Sequence, residues 1–185
     1  MPNLYLVGFM GTGKSALGRR LAQRFGMRFI DSDAEIEKKA GMSVQNIFSQ
    51  SGEDAFRGME REFVEGGHPE NGCVVACGGG LVCREGMPEL LRQKGVVVVL
   101  FADPMVVLKR VAGSAKRPLL NVDNPLEKLC ALMTERQASY EKSGVLVSTV
   151  GRIEDTEERI ARIFQERIKR PSPKKKGPQG PKVRP

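Results

Sequence analysis

The chain has 185 residues, with 30 Lys and Arg against 22 Asp and Glu, a formal charge of +8. That length fits one domain with a substantial core, and the charge is not spread over it, because Lys169 to Pro185 holds seven basic residues and no acid, leaving +1 for the rest. A nearly neutral body with no apolar run approaching ~20 residues excludes a membrane span, and no nucleic-acid partner is expected of it.

Leu4-Tyr5-Leu6-Val7 is a short apolar run, the mark of a buried strand. It leads into Gly8-Phe9-Met10-Gly11-Thr12-Gly13-Lys14-Ser15, which fits the spacing G-x-x-x-x-G-K-[ST]. The glycines let successive backbone N–H groups turn inward toward a polyphosphate. Lys14 is placed to reach β- and γ-phosphates, and Ser15 offers a hydroxyl to Mg²⁺. Leu17, Leu21, Ala22 and Phe25 follow at helical spacing, with Gly26 placed to end the helix. The positive end of that helix dipole then adds to the phosphate site.

Met27 to Ile30 reads as a second strand closed by Asp31-Ser32-Asp33. A helix from Ala34 to Ala40 is expected next, with Ser32-x-x-Glu35 as a capping box and Gly41 as the stop. Val44, Ile47 and Phe48 continue a helical stripe that breaks at Gly52, and Ala55 to Val64 is a charged helix containing Phe56-Arg57 and Glu60. After a loop with Gly66, Gly67 and Pro69, Cys73 to Cys77 reads as a third strand, ending in Gly78-Gly79-Gly80.

Pro88 to Lys94 is a short helix, and Val96-Val97-Val98-Val99-Leu100 is a strand whose lack of alternation predicts burial on both faces. Asp103-Pro104 is a helix-start signal, so Asp103 is read as structural rather than metal-binding. Met105 to Val111 is a helix, Gly113 to Asp123 is polar, Pro125 to Lys142 is a long helix and Val145 to Val147 a fifth strand. Thr156 to Lys169 is the last helix, with Ile160, Ile163, Phe164 and Ile168 on one face.

Strands alternating with helices predict an α/β fold: three α/β/α layers around a central, mainly five-stranded parallel sheet, with ligands at the carboxyl ends of the strands. Residues 1–170 form the expected domain and 171–185 a basic, Pro- and Lys-rich tail too poor in apolar residues to order itself. The four cysteines lack the spacing of a zinc site, and His68 is the single histidine. Reduced thiols and the absence of a leader before the first strand make a cytoplasmic protein the expectation.

Several stretches together resemble one family. They are the phosphate loop, Phe29-Ile30-Asp31-Ser32-Asp33, Phe56-Arg57-x-x-Glu60, Gly78-Gly79-Gly80, Arg110 with Arg117-Pro118-Leu119-Leu120, and Arg136-x-x-x-Tyr140. The chain resembles shikimate kinase, a small P-loop kinase of the nucleoside-monophosphate-kinase type, over about residues 3 to 168. The resemblance implies transfer of the γ-phosphate of ATP to the 3-hydroxyl of shikimate, on the route to chorismate and aromatic amino acids, by a monomer using one Mg²⁺. It implies Asp33 as the group on the reacting hydroxyl, and Lys14 and Arg117 beside it in catalysis. Arg57, Gly79 and Arg136 would bind shikimate, the arginines by its carboxylate. Gly11, Thr12, Gly13, Lys14, Ser15 and Ala16 would hold ATP together with Arg110, Arg117 and Arg152. Ser15 and Asp31 would serve the metal, and Arg117 would lie in a mobile lid of about residues 112–124. Ser143 and Cys77 depart from the family pattern without removing a functional group, Cys77 raising the question of thiol sensitivity.

Duller readings compete. Asp33 would serve equally to cap a helix, and Arg57 and Arg136 as solvated helix charges. A gluconate-type kinase could use the same loop. A nucleotide-dependent binding module would need a guanine-reading Asn-Lys-x-Asp, which the chain lacks.

Overall fold

The computed structural model describes residues 1–111 and 124–169. The expected lid, with Arg117, falls outside these residues except for Asn124, and so does the tail. Five strands, β1 (Asn3–Gly8), β2 (Arg28–Asp31), β3 (Cys73–Ala76), β4 (Gly95–Phe101) and β5 (Val145–Ser148), pair in parallel in the order β2-β3-β1-β4-β5. Among the described residues seven α-helices accompany them: α1 (Lys14–Phe25), α2 (Ser32–Ala40), α3 (Val44–Gly66), α4 (Met87–Lys94), α5 (Pro104–Val111), α6 (Pro125–Ser143) and α7 (Ile153–Lys169).

The three layers follow from strand periodicity. On β1, Leu4 and Leu6 enter one core with Leu17, Leu21, Val98, Leu100 and Phe164, under α1 and α7. Tyr5 and Val7 enter the other with Ile47, Phe56, Leu91, Val99 and Leu129, under α3, α4 and α6. Covering both faces is why β1 and β4 read as continuous apolar runs.

Strand order decides where the site opens. The chain leaves β1 for α1 on one face, and leaves its neighbour β3 for a 3₁₀ turn (Leu81–Cys83) and α4 on the other. Helices that part in this way leave a crevice beyond the carboxyl ends of the two strands. The phosphate loop and the triple glycine are the segments that emerge there.

Local signals hold with some corrections. Gly26 (φ 62°) and Gly41 (φ 70°) close α1 and α2 in the left-handed conformation. Helix α2 starts at Ser32, two residues earlier than expected, and its cap is Asp31, whose carboxylate accepts from the Ala34 N–H at 3.5 Å. The Ser32 capping box and a cap at Asp33 are thus both corrected: Ser32 is fully buried and bonded elsewhere, and Asp33 lies in the first turn. Gly52 (φ 81°, ψ 173°) breaks the helical backbone inside α3, where the sequence placed the break. Asp103 accepts from the Met105 N–H at 2.8 Å, a structural cap as read from the sequence. On α7, Ile160 and Phe164 are buried beside Ala161, while Ile168, near the helix end, is exposed.

Candidate active site

The phosphate loop is built by backbone that side chains would obstruct. At Gly8 (φ 137°) an added Cβ would lie 2.2 Å from the Leu100 carbonyl oxygen, and at Gly11 (φ 73°) 2.7 Å from the Val111 side chain. The buried Thr12 hydroxyl donates to the Phe9 carbonyl at 2.7 Å, closing the turn. Gly13 opens α1 with no side-chain cap, so the first-turn N–H groups face the loop's concavity. Lys14 Nζ folds over the loop and donates to the carbonyls of Gly8 (2.7 Å) and Phe9 (2.9 Å).

Two carboxylates from the end of β2 reach this loop. The Ser15 hydroxyl donates to Asp31 Oδ2 at 3.0 Å, while Asp31 Oδ1 caps α2. The cap therefore aims the other oxygen at Ser15. Asp33 lies two residues further along, in the first turn of α2. Its burial, and next the charge of Asp31, hold its carboxyl above the ordinary range, with Lys14 pulling the other way. Among the described residues no cluster of three or more His, Cys, Asp or Glu could hold a metal. Ser15 and Asp31 supply two hard oxygen donors, which suits an ion that keeps most of its shell in water and phosphate oxygens.

The triple glycine is the wall opposite. A Cβ on Gly78 would lie 2.5 Å from Asp33 Oδ1 and 2.8 Å from Glu60 Oε1, and one on Gly80 would lie 2.6 Å from the Arg57 guanidinium. The corresponding point at Gly79 stands 3.7 Å from the Met10 nitrogen and 3.8 Å from the Gly8 carbonyl oxygen. An added Cβ at 78 or 80 would thus have to displace the ends of these charged side chains, and the segment rests directly on the phosphate loop. Two hydroxyls hold it. Ser32 Oγ accepts from the Gly78 N–H at 2.8 Å, and the Tyr140 hydroxyl donates to the Gly79 carbonyl at 2.5 Å.

Arg57 is fixed by its own helix. Glu60 accepts from it at 2.8 Å and Glu53 at 2.9 Å, one turn to either side. The Gly52 kink lets Phe48 and Phe56 meet at 4.9 Å, and the guanidinium sits over both rings, 5.9 and 5.6 Å from their centres. Glu60 is only 1% exposed, and its Oε1 is the one buried side-chain polar atom without a partner among the described residues. Burial pushes its carboxyl up, Arg57 opposes that, and Asp33 adds to it. Arg136, on α6, lies over the Phe9 ring at 5.7 Å.

Beside the phosphate loop lies a cavity of about 230 Å³ whose lining includes Thr12, Ala16, Arg110, Thr149, Gly151 and Ile153. Arg110 is anchored there by Thr149, at 3.0 Å to its hydroxyl and 2.7 Å to its carbonyl. Arg152 stands outside that lining, exposed and 3.7 Å from Glu154. Arg117 lies outside the described residues. The structure thus brings Lys14, Ser15, Asp31, Asp33, Arg57, Gly79, Arg110 and Arg136 to one rim.

Sequence reading passed over Ser32, taken for a helix cap, and gave Tyr140 no task. The placement of Ser32 between two candidate site carboxylates was its available signal. The departures are also explained. Ser143 is buried and donates to the Ser139 carbonyl at 2.6 Å, so its hydroxyl is absorbed by α6. Cys77 is fully buried, and burial pushes its thiol far up, which answers the question of sensitivity in the negative.

A family model described as Shikimate kinase matches residues 10–170. The shikimate kinase of Geobacter sulfurreducens is 44% identical over 165 residues, 89% of this chain and 91% of that protein. The shikimate kinase of Thermodesulfovibrio yellowstonii is 38% identical over 166 residues, 89% and 96% of the two chains. Among solved structures, shikimate kinase from Acinetobacter baumannii in complex with shikimate is similar at a TM-score of 0.80 and 35% identity, covering 91% of this chain and 94% of that one. A gluconokinase from Sinorhizobium meliloti reaches a TM-score of 0.57 at 15% identity, covering 92% and 98%, a likeness of fold alone.

Proposed function

The chain belongs to the shikimate kinase family, and from that premise we propose how its residues carry phosphoryl transfer from ATP to shikimate. The enzyme is an ATP-dependent kinase of shikimate, and the acceptor atom is the 3-hydroxyl. Its oxygen forms the new bond to the γ-phosphorus as the bond from that phosphorus to the ADP oxygen breaks, and the hydroxyl proton passes to a carboxylate.

Loop N–H groups and the start of α1 hold the phosphates, with Lys14 turning from the loop carbonyls to the β- and γ-phosphates when nucleotide enters. Ser15 and Asp31 would hold Mg²⁺, which would supply charge neutralisation for the transferring group. Asp33 receives the hydroxyl proton. A carboxyl held above its ordinary range by burial and by Asp31 suits that exchange. Arg57 and Arg136 bind the shikimate carboxylate, with Glu53, Glu60 and three aromatic rings limiting their motion. Gly79 meets the substrate ring through its backbone, Arg110 borders the adenine side with Arg152 nearby, and Arg117 covers the nucleotide. A monomer completes the site without help from a second copy.

The observation that carries this reading is the seating of the triple glycine. One segment packs against the phosphate loop, Asp33, Glu60 and Arg57 together, so donor and acceptor groups share a single wall. The test is ADP release from Mg·ATP with shikimate or with gluconate as acceptor. Stimulation by shikimate alone is expected, and stimulation by gluconate alone would overturn the assignment of acceptor. No gluconate activity is expected, because the likeness to a gluconokinase does not extend beyond fold.

A further inference from the structure

Tyr140 stands at the meeting of three elements. It lies on α6, one helical turn after Arg136, so both side chains leave the same face. Its ring is 8% exposed, and its hydroxyl donates to the Gly79 carbonyl at 2.5 Å, across 61 residues of chain. Arg136, one turn back on the same face, carries its guanidinium over Phe9 of the phosphate loop, and its charge acts on the Tyr140 hydroxyl. Burial pushes the phenol well above its ordinary range, so it keeps its proton and acts as a donor.

We propose that Tyr140 is a positioning residue for the acceptor: its hydroxyl holds the Gly79 backbone and the Arg136 guanidinium in one register, so that shikimate meets both at once. This rests on the reading of Arg136 and Gly79 as acceptor contacts. The physical reason is geometric. Glycine backbone has the widest conformational freedom, and an arginine on a helix face has many rotamers. Each alone would bind a ring and its carboxylate loosely. A hydroxyl bonded to the carbonyl and lying in the field of the guanidinium one turn away restrains both. Packing alone would need only the ring, which Phe supplies equally well.

The experiment compares Tyr140→Phe with wild type and with Arg136→Met, measuring KM for shikimate, KM for ATP, kcat and the urea midpoint. For Tyr140→Phe, KM for shikimate is expected to rise about tenfold, with KM for ATP within about twofold and the midpoint nearly unchanged. An unchanged KM for shikimate would overturn the proposal if Arg136→Met raises it. If Arg136→Met also leaves it unchanged, the acceptor reading itself fails and the proposal with it. A parallel loss in both KM values and in the urea midpoint would show a packing role only, and would overturn it too. The double variant adds a further check: its KM for shikimate is expected to rise by less than the product of the two single effects, because the two residues act on one substrate group. A rise equal to that product would sink the coupling.

Discussion

Gly78 is where one missing Cβ decides the reaction. Alanine there would drive its methyl into the carboxylates of Asp33 and Glu60, at 2.5 and 2.8 Å, so both would have to shift, and Glu60, 1% exposed, has little room to do so. We expect Gly78→Ala to lower kcat/KM for shikimate by about 100-fold or more while leaving ATP affinity near wild type, as read by steady-state kinetics and calorimetry. Equal loss of ATP binding would mean that the damage reaches the phosphate loop. The cysteines allow a second check at the same scale. Burial pushes up the thiols of Cys73, Cys77 and Cys83, but Cys73 and Cys77 are buried whereas Cys83 and Cys130 are half-buried. Alkylation of the folded protein, followed by peptide mass spectrometry, should label Cys83 or Cys130 first and Cys77 only after unfolding. Early labelling of Cys77 would contradict the packing of β3 against the triple glycine.

At the scale of elements, α7 shows which forces hold the layers. Arg20 and Arg24 of α1 meet Glu154, Glu157 and Glu158 of α7 in a surface network, with Arg20 to Glu157 at 2.5 Å. Ion pairs whose arginines stand in solvent are weakened by water and salt and add little to stability. Phe164, in contrast, is fully buried and its ring meets Phe25 edge-on at 5.2 Å. Its truncation costs about 3–5 kcal/mol, a large part of the ~5–15 kcal/mol that holds a domain together. Urea unfolding should therefore show Phe164→Ala far less stable than Glu157→Gln. The apolar face, and not the ion pairs, docks α7.

At the scale of the whole molecule, the far end of the sheet carries a pH dependence separate from the site. His68 donates from Nδ1 to the Pro69 carbonyl at 2.8 Å, which leaves Nε2 to accept from the buried Tyr5 hydroxyl at 3.3 Å. Phe63 packs on the ring, and burial first, then Lys94, holds the imidazole below its ordinary pKa. The neutral ring thus contributes stability that is fully present above about pH 6.5, the unfolded value, and is lost as pH falls through the lower folded value. Asp33 and Glu60, both held above their ordinary range, have the opposite sign and stabilise as pH falls. The difference between wild type and His68→Phe isolates the histidine: wild type should lead by about 1–3 kcal/mol at pH 7.5, and the lead should shrink by pH 5.5. A constant lead would refute the neutral-ring arrangement. The tail gives the last check. The family match ends at residue 170, so a chain cut after Lys169 should keep kcat and both KM values.

Much was legible in the order of residues because it depends on short range. Two-residue alternation, 3.6-residue stripes and glycines at helix ends act within a few residues, so β1, α1, the phosphate loop and the parallel α/β class could be read directly. Asp103 before Pro104 was read correctly for the same reason. Ser32 was misread because a helix cap and a bond to distant backbone ask for the same hydroxyl, and only the seating of β3 beside β2, 46 residues on, chooses between them. Tyr140 had no task in the sequence because its partner, Gly79, is a backbone carbonyl that any residue would supply. The break at Gly52 was legible from the glycine itself, but not that the bend there brings Phe48 to Arg57. Residue types and local spacing therefore determined which chemical groups the protein has and on which elements they stand. Tertiary structure alone decided which of them touch, because contacts across 40 to 60 residues are set by strand order and by the shared cores of the two sheet faces.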